Sequence, residues 1–170
     1  MGMPSKLKNF NLYNDGQSYM GEVESVVLPK LSRKLEPWRG GGMLGEVDAD
    51  LGVEKLTVEW TAGGLLDTAL KQWGLTTHGG ATLRFAGAYQ DDDDGAVRAV
   101  EVVVRGRHAE IDLGTAKAGD GTAHKYTTTC SYYKLTIDGE DIIEIDMINA
   151  VDKAGGVDRN AGIRKAIGLA

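Results

Sequence analysis

Apolar and polar residues alternate with a period of two along much of this chain, and the longest such run, Thr127 to Ile148, predicts a β-hairpin. Its two arms meet at Asp138-Gly139, a pair suited to tight turns that need positive φ at both central positions. Beyond the turn, Ile143, Ile145 and Met147 alternate with Glu144 and Asp146, giving one apolar and one acidic face. Before it, Thr129, Ser131, Tyr133, Leu135 and Ile137 are expected on one face and Tyr132 and Lys134 on the other.

Further hairpins and strands follow from the same reading. Phe10 to Tyr13 and Tyr19 to Leu28 flank Asn14-Asp15-Gly16 as a second hairpin, with Met20, Glu22, Glu24 and Val26 on one face and Gly21, Val23, Ser25 and Val27 on the other. Leu28 to Leu31 should bend at Pro29, and Ser32 to Leu35 continues as an edge strand. Leu56, Val58 and Trp60 alternate with Thr57, Glu59 and Thr61 in a half-buried strand. Thr82 to Tyr89 and Val97 to Arg105 are strands joined by the polar turn Asp91 to Gly95; Gly106 marks a bulge or break before His108 to Leu113. One helix is expected at Leu65 to Trp73, with Leu66, Leu70 and Trp73 on its packed stripe, and a short basic helix in the tail from Asp158. Such an inventory, with 24 glycines and three prolines, predicts a mainly β chain, folded as a β-sandwich or half-barrel with one flanking helix.

Pro37 to Gly52, PWRGGGMLGEVDADLG, fits none of these patterns. It reads as a long loop or flexible hairpin, and connections longer than about 12 to 15 residues are usually functional. The segment is therefore a candidate interaction arm within a single domain spanning residues 1–170.

Composition narrows the function. The 170 residues suit one domain, and the single cysteine, Cys130, lies in a predicted strand as a small buried hydrophobe. No apolar run approaches the roughly 20 residues needed to span a bilayer, so no membrane insertion is expected and the chain should be soluble where it is made. A net charge of -6 argues against a surface that grips nucleic-acid phosphates.

Motifs add little chemistry. Gly40 to Gly45 matches G-x-G-x-x-G, yet no buried strand and helix flank it, and Glu46, Asp48 and Asp50 would repel a phosphate, which leaves a mobile loop. Asp91 to Asp94 with Gly95 fails as a calcium loop, because Gln90 falls at the first ligand position and strands lie on both sides. His78, His108 and His124 stand apart from any second ligand at metal spacing. No activated nucleophile is recognisable, and the acidic residues of the last hairpin are better read as a solvated face than as a glycosidase pair. Residue chemistry alone points to a non-enzymatic β domain without a cofactor.

Several long strings resemble the major tail tube protein of contractile-tailed bacteriophages, the family that includes R-type pyocin tubes. They are MPSKLKNFNLY, SVVLPKLSRKLEPWRGGGMLG, RFAGAYQDDDDG, VEVVVRGRHAEIDLG and YYKLTIDGEDIIEIDMINAVDKAGGVDR, in that order along the chain. The resemblance implies a virion protein whose subunits join edge to edge into hexameric rings that stack into a hollow tube. It also implies a tail sheath around the tube, a tape measure protein inside it during assembly, baseplate and tail terminator proteins at its ends, and DNA passing through without specific binding. The arm's place in that family falls on Pro37 to Gly52, giving Arg39, Gly40, Gly41, Gly42, Met43, Leu44, Gly45, Glu46, Asp48 and Asp50 as inter-ring contacts. For a lumen that repels phosphate, Glu22, Glu24, Glu140, Asp141, Glu144 and Asp146 are the candidates, against a merely solvated outer face. The edge of the Thr127 to Ile148 hairpin is the expected seam between subunits. The competing reading is a monomeric β-sandwich binding module, such as an adhesin or virion decoration protein, that uses the same loop for contact.

Overall fold

The computed structural model describes residues 2–169, and their alternating segments form twelve strands and two short helices. In chain order these are β1 (Lys6–Asn14), β2 (Gln17–Ser18), β3 (Val23–Val27), β4 (Arg33–Trp38), β5 (Val47–Val53), β6 (Leu56–Ala62) and α1 (Asp67–Leu70). There follow β7 (Ala81–Gln90), β8 (Val97–Asp112), β9 (His124–Ile137), β10 (Glu140–Asp146), β11 (Val151–Ala154), β12 (Val157–Asp158) and α2 (Ala161–Ala166). The fold is mainly β, as the alternation predicts.

β8 and β9 are the longest strands and pair antiparallel along almost their whole length, and around them the sheet forks. The first half of β9 pairs on its other side with β6, whose far edge takes β3. The second half pairs instead with β10, which leads to β11 and β12. β8 divides in the same way: Val97 to Gly106 pair with β7, then β1 and β2, whereas Arg107 to Asp112 have no strand on that side. A short limb, β3-β6-β9-β8, and a long limb, β12-β11-β10-β9-β8-β7-β1-β2, thus share two strands.

Both limbs turn their apolar residues to one core. Trp60 is its centre, stacked on Tyr126 at 4.1 Å and on Tyr19 at 5.9 Å between ring centroids. Leu56, Val58 and Ala62 from β6 join Leu12, Leu83, Phe85, Val102 and Val104 from the long limb. Cys130 is buried among them, and desolvation pushes its thiol up to about 12, so it packs as an inert hydrophobe.

The Asp138-Gly139 turn forms as expected, with φ of 50° and 82°. The faces of β9 do not. Arg105 pairs with Tyr132 but Gly106 with Cys130, so Ser131 is an extra residue that reverses the side-chain parity. Tyr126, Thr128 and Cys130 therefore point inward in the first half and Tyr133 in the second, while Thr129 and Ser131 leave the face on which alternation placed them. Gly106 makes this possible: a Cβ there would lie 1.9 Å from the Thr129 carbonyl oxygen.

Three other expectations change. The Asp15-Gly16 turn forms, but its second arm is only β2; the chain turns again at Met20 to Glu22, and β3 pairs with β6 across the fork. A register shift between Val23 and Ser25 brings both Val23 and Val26 against the core, which strict alternation cannot do. The predicted helix shrinks to the single turn Asp67–Leu70, because Leu66 at its N-cap supplies no capping side chain and Gly74 adopts φ 76° after it. Leu66 and Ala69 are buried, but Trp73, placed by periodicity on the packed stripe, is exposed.

Candidate assembly surfaces

The Pro37 to Gly52 segment is an ordered hairpin rather than a loose loop. β4 and β5 pair only with each other, forming a two-stranded sheet apart from the main one. Pro37 sits opposite Asp48 without disrupting it, since an edge strand tolerates a missing N–H. At the tip the Met43 amide donates to the Gly40 carbonyl at 3.3 Å, the Gly40 amide approaches Met43 Sδ at 3.0 Å, and Arg39 Nε donates to the Met43 carbonyl at 3.3 Å. The candidate contacts Arg39, Gly40, Gly41, Gly42, Met43, Leu44, Gly45 and Glu46 thus form the tip, and Asp48 and Asp50 lie on its return strand.

The arm's side chains are what a free hairpin should not carry. Leu44 is 98% exposed, Trp38 65% and Val47 63%, with Leu35 and Leu51 also exposed. Trp38 and Val47 are paired neighbours on one face and Leu35 lies on the other, so both faces of the hairpin expose apolar side chains of the kind that interaction surfaces carry. At its root the arm is fastened: Arg33 donates from Nε to Asp50 and from Nη1 to Asp152 on β11 at 2.6 Å, and the Glu54 amide donates to the Ser32 carbonyl at 2.9 Å. The Gly52 amide and then Arg33 hold the Asp50 carboxyl below its usual range.

The six acidic residues expected on one surface are not brought together. Glu22 lies in the turn before β3 and Glu24 in β3 itself, on the short limb, while Glu140, Asp141, Glu144 and Asp146 belong to β10 on the long limb. The β10 carboxylates are matched by partners. Tyr132 donates to Glu144 at 2.5 Å, Thr136 donates to Asp141 at 3.0 Å, and Lys134 Nζ lies 3.8 Å from Asp141. Burial first, and then the hydrogen bond to Glu144, push the Tyr132 phenol up to about 12. Burial works against Asp146, yet bonds from Asn149 and the Ile148 amide hold its carboxyl below the usual range, so it fastens the turn after β10. Arg105 lies 3.9 Å over the Tyr132 ring and Arg84 pairs with Glu101, so cations share this face with the carboxylates.

The strand register identifies another polar face that alternation alone could not assemble. On the outer side of the short limb, Glu59 aligns with Thr127 and Glu110, and Thr61 with Lys125 and Asp112. The edges of this limb also matter. Among the described residues β3 has no strand beyond it, and neither does β8 from Arg107 to Asp112, whereas β9 is paired on both sides and β10 from Ile143 to Asp146 lies between β9 and β11. Most of the hairpin edge expected as a seam is therefore occupied within the chain, and the short limb has open edges elsewhere.

The Asp91 to Gly95 segment works as a clamp. Asp91 and Asp94 accept from the backbone amides of Asp93 and Ala96, while Asp92 pairs with Lys8 at 2.7 Å and Asp93 accepts from the Met3 amide at 2.7 Å. Its carboxylates hold the start of the chain against the β7–β8 turn.

Over residues 4–168 the sequence matches the family model described as phage tail tube protein FII. The chain belongs to that family. It is 47% identical over 172 residues to the tail tube protein of Escherichia phage P2, covering 99% of this chain and 100% of the relative. It is 40% identical over 158 residues to the major tail tube protein of Serratia phage KSP20, covering 92% and 91%. Solved structures carry the same fold at low identity. A chain of the sheath/tube terminator of an extracellular contractile injection system, in the extended state, aligns at a TM-score of 0.59 with 11% identity, covering 78% of this chain and 96% of the other. One from that system's sheath-tube complex aligns at 0.58 with 10% identity, covering 78% and 91%. The family's members are phage tail tube proteins, and this tail tube protein is a component of the virion tail. Among the described residues no helix is long and apolar enough to cross a membrane.

Proposed function

We propose that the chain is a single domain with one projecting arm, and that it assembles into hexameric rings whose stacks form the hollow inner tube of a contractile tail, a conduit for DNA. The observation that carries this reading is the pair of open edges on the short limb. Successive strands β3, β6, β9 and β8 alternate in direction, so the open stretch of β8 in one copy meets β3 of the next as an antiparallel neighbour. Repeating that contact around an axis extends one ladder through every subunit and leaves no exposed edge on the short limb, as barrel closure does. The same contact made head to tail by identical copies closes into a ring when six equal rotations complete a full turn.

The lumen then takes the outer face of the short limb. Glu59, Glu110 and Asp112 line it among threonines, with Lys125 and Arg107 on the same face, so the carboxylates repel phosphate and offset the two cations that would otherwise hold DNA. Glu24 joins the same limb, whereas Asp141 and Glu144, tied to Lys134 and Tyr132, serve the long limb. The arm, apolar and unpartnered within the chain, bridges one ring to the next. A sheath outside, a tape measure protein inside during assembly, and baseplate and terminator proteins at the ends complete the partners of such a tube.

Negative-stain microscopy of concentrated protein tests the reading: hollow rods or rings are expected. Removing residues 40–50 should leave the core folded and rings able to form, but no stacks. Stacks of unchanged length without the arm would remove its inter-ring role.

A further inference from the structure

The open stretch of β8 begins where β7 leaves it, at Gly106, and there the segment after α1 crosses the sheet edge. Three contacts hold the crossing in place. Gln72 Oε1 accepts from His108 Nε2 at 2.8 Å, the Leu75 carbonyl accepts from Arg107 Nη1 at 3.5 Å, and His78 Nδ1 lies 2.9 Å from Ser131 Oγ. Between these ties stands Trp73, which is 62% exposed, with Leu75 half-buried two residues on. Tryptophan is among the residues that most often anchor an interface.

On the other side of the short limb, the chain leaves β3 through Leu28 to Leu31. Pro29 is buried and Leu28 packs against the core, so the bend is fixed, while Leu31 beyond it is 42% exposed. Strand direction brings bend and crossing together. β8 is open from Arg107 towards Asp112, so an antiparallel β3 from an adjacent copy enters at the Asp112 end and leaves, past Val27, at the Arg107 end. Its Leu28 to Leu31 bend then comes down on the segment that carries Trp73. Lys30 on the bend and Lys71 and Arg107 beside the crossing are all cations, so apolar cover and not charge must hold this contact.

We infer that the Gln72 to Leu75 crossing is the seat for the Leu28 to Leu31 bend of the neighbouring copy in a ring, with Leu31 covering Trp73. The inference rests on the ring contact proposed above. It adds a stop at one end of the seam, which limits how far the two strand edges slide past one another and so helps to fix their register.

Fluorescence between copies tests it. Full-length protein with Leu31→Cys and Trp73→Phe is labelled at the new thiol with bimane, a fluorophore that tryptophan quenches on contact; Cys130 is buried and stays unlabelled. Mixed with an excess of unlabelled copies that keep Trp73, the label should lose most of its emission as rods form. With unlabelled copies carrying Trp73→Phe it should stay bright. In parallel, Trp73→Ser should raise the protein concentration at half-assembly about tenfold or more, while the melting temperature of the dissociated chain hardly moves. Rods that form normally without quenching, or a half-assembly concentration unchanged by Trp73→Ser, would overturn the seat and leave the ring contact standing. An intact chain that never assembles would remove both.

Discussion

Gly106 is the residue on which the paths of the two longest strands depend. The Thr129 carbonyl occupies the space a side chain would need, and it does so because Ser131 bulges out of the opposing strand. Gly106→Ala should therefore cost about 3 kcal/mol or more, unless the bulge itself is lost, and thermal unfolding of the unassembled protein should report it as a fall of roughly 6 °C or more. His108 makes a second prediction. Its Nε2 donates to Gln72 Oε1 at 2.8 Å and its Nδ1 accepts from Thr128 at 2.8 Å, while Trp60 Nε1 donates to the same threonine oxygen at 3.3 Å. That network accommodates a neutral imidazole, the form that burial favours. Desolvation lowers the His108 pKa, outweighing the Asp15 carboxylate that favours the proton. A depressed folded-state pKa means that the stabilisation is present above the unfolded value of about 6.5 and is lost as pH falls from there through the folded pKa. Unfolding free energy should decline between pH 7 and pH 5, and His108→Gln should remove most of that slope while being less stable at pH 7.5. A slope unchanged by the substitution would assign it to other groups.

At the scale of elements, strict alternation made β6 legible, because Leu56, Val58 and Trp60 face a core with no irregularity between them. It failed where one extra residue enters a ladder, near Glu24 and at Ser131, since a bulge changes parity without changing composition. The helix was over-read for a related reason. Leu66 and Leu70 follow helical spacing, but Gln72 is drawn into hydrogen bonds with Asn14, Asp15 and His108, which fix the segment after the single turn of α1. The Pro37 to Gly52 stretch was legible as irregular; its strand pairing was hidden by glycines and Pro37. Its root makes a separable prediction. Arg33→Ala removes the ties to Asp50 and Asp152, which solvent screens and which therefore contribute little to stability. The melting temperature should hardly move, whereas the rate of rod growth, followed by light scattering, should fall severalfold as the arm loses its fixed direction.

For the whole molecule, sequence alternation identified polar faces but not which strands of one fork would stand together, because pairing between β6 and β9 joins segments far apart in the chain. In the proposed tube the lumen is lined by Glu59, Glu110 and Asp112 of the short limb instead of the carboxylates of β10. Assembled tubes carrying Glu59→Lys and Glu110→Lys should bind DNA at low salt and release it as salt rises, while unmodified tubes should not. Equal indifference to DNA in both would place this face away from the lumen. The same topology leaves β3 and the end of β8 open on the short limb, and a lone subunit with these complementary edges is expected to seek copies of itself. Sedimentation of the intact chain across a wide concentration range tests that expectation most directly. The account predicts growth from monomer through a hexameric ring to rods; a protein that remains monomeric at every concentration, with its arm intact, would contradict it.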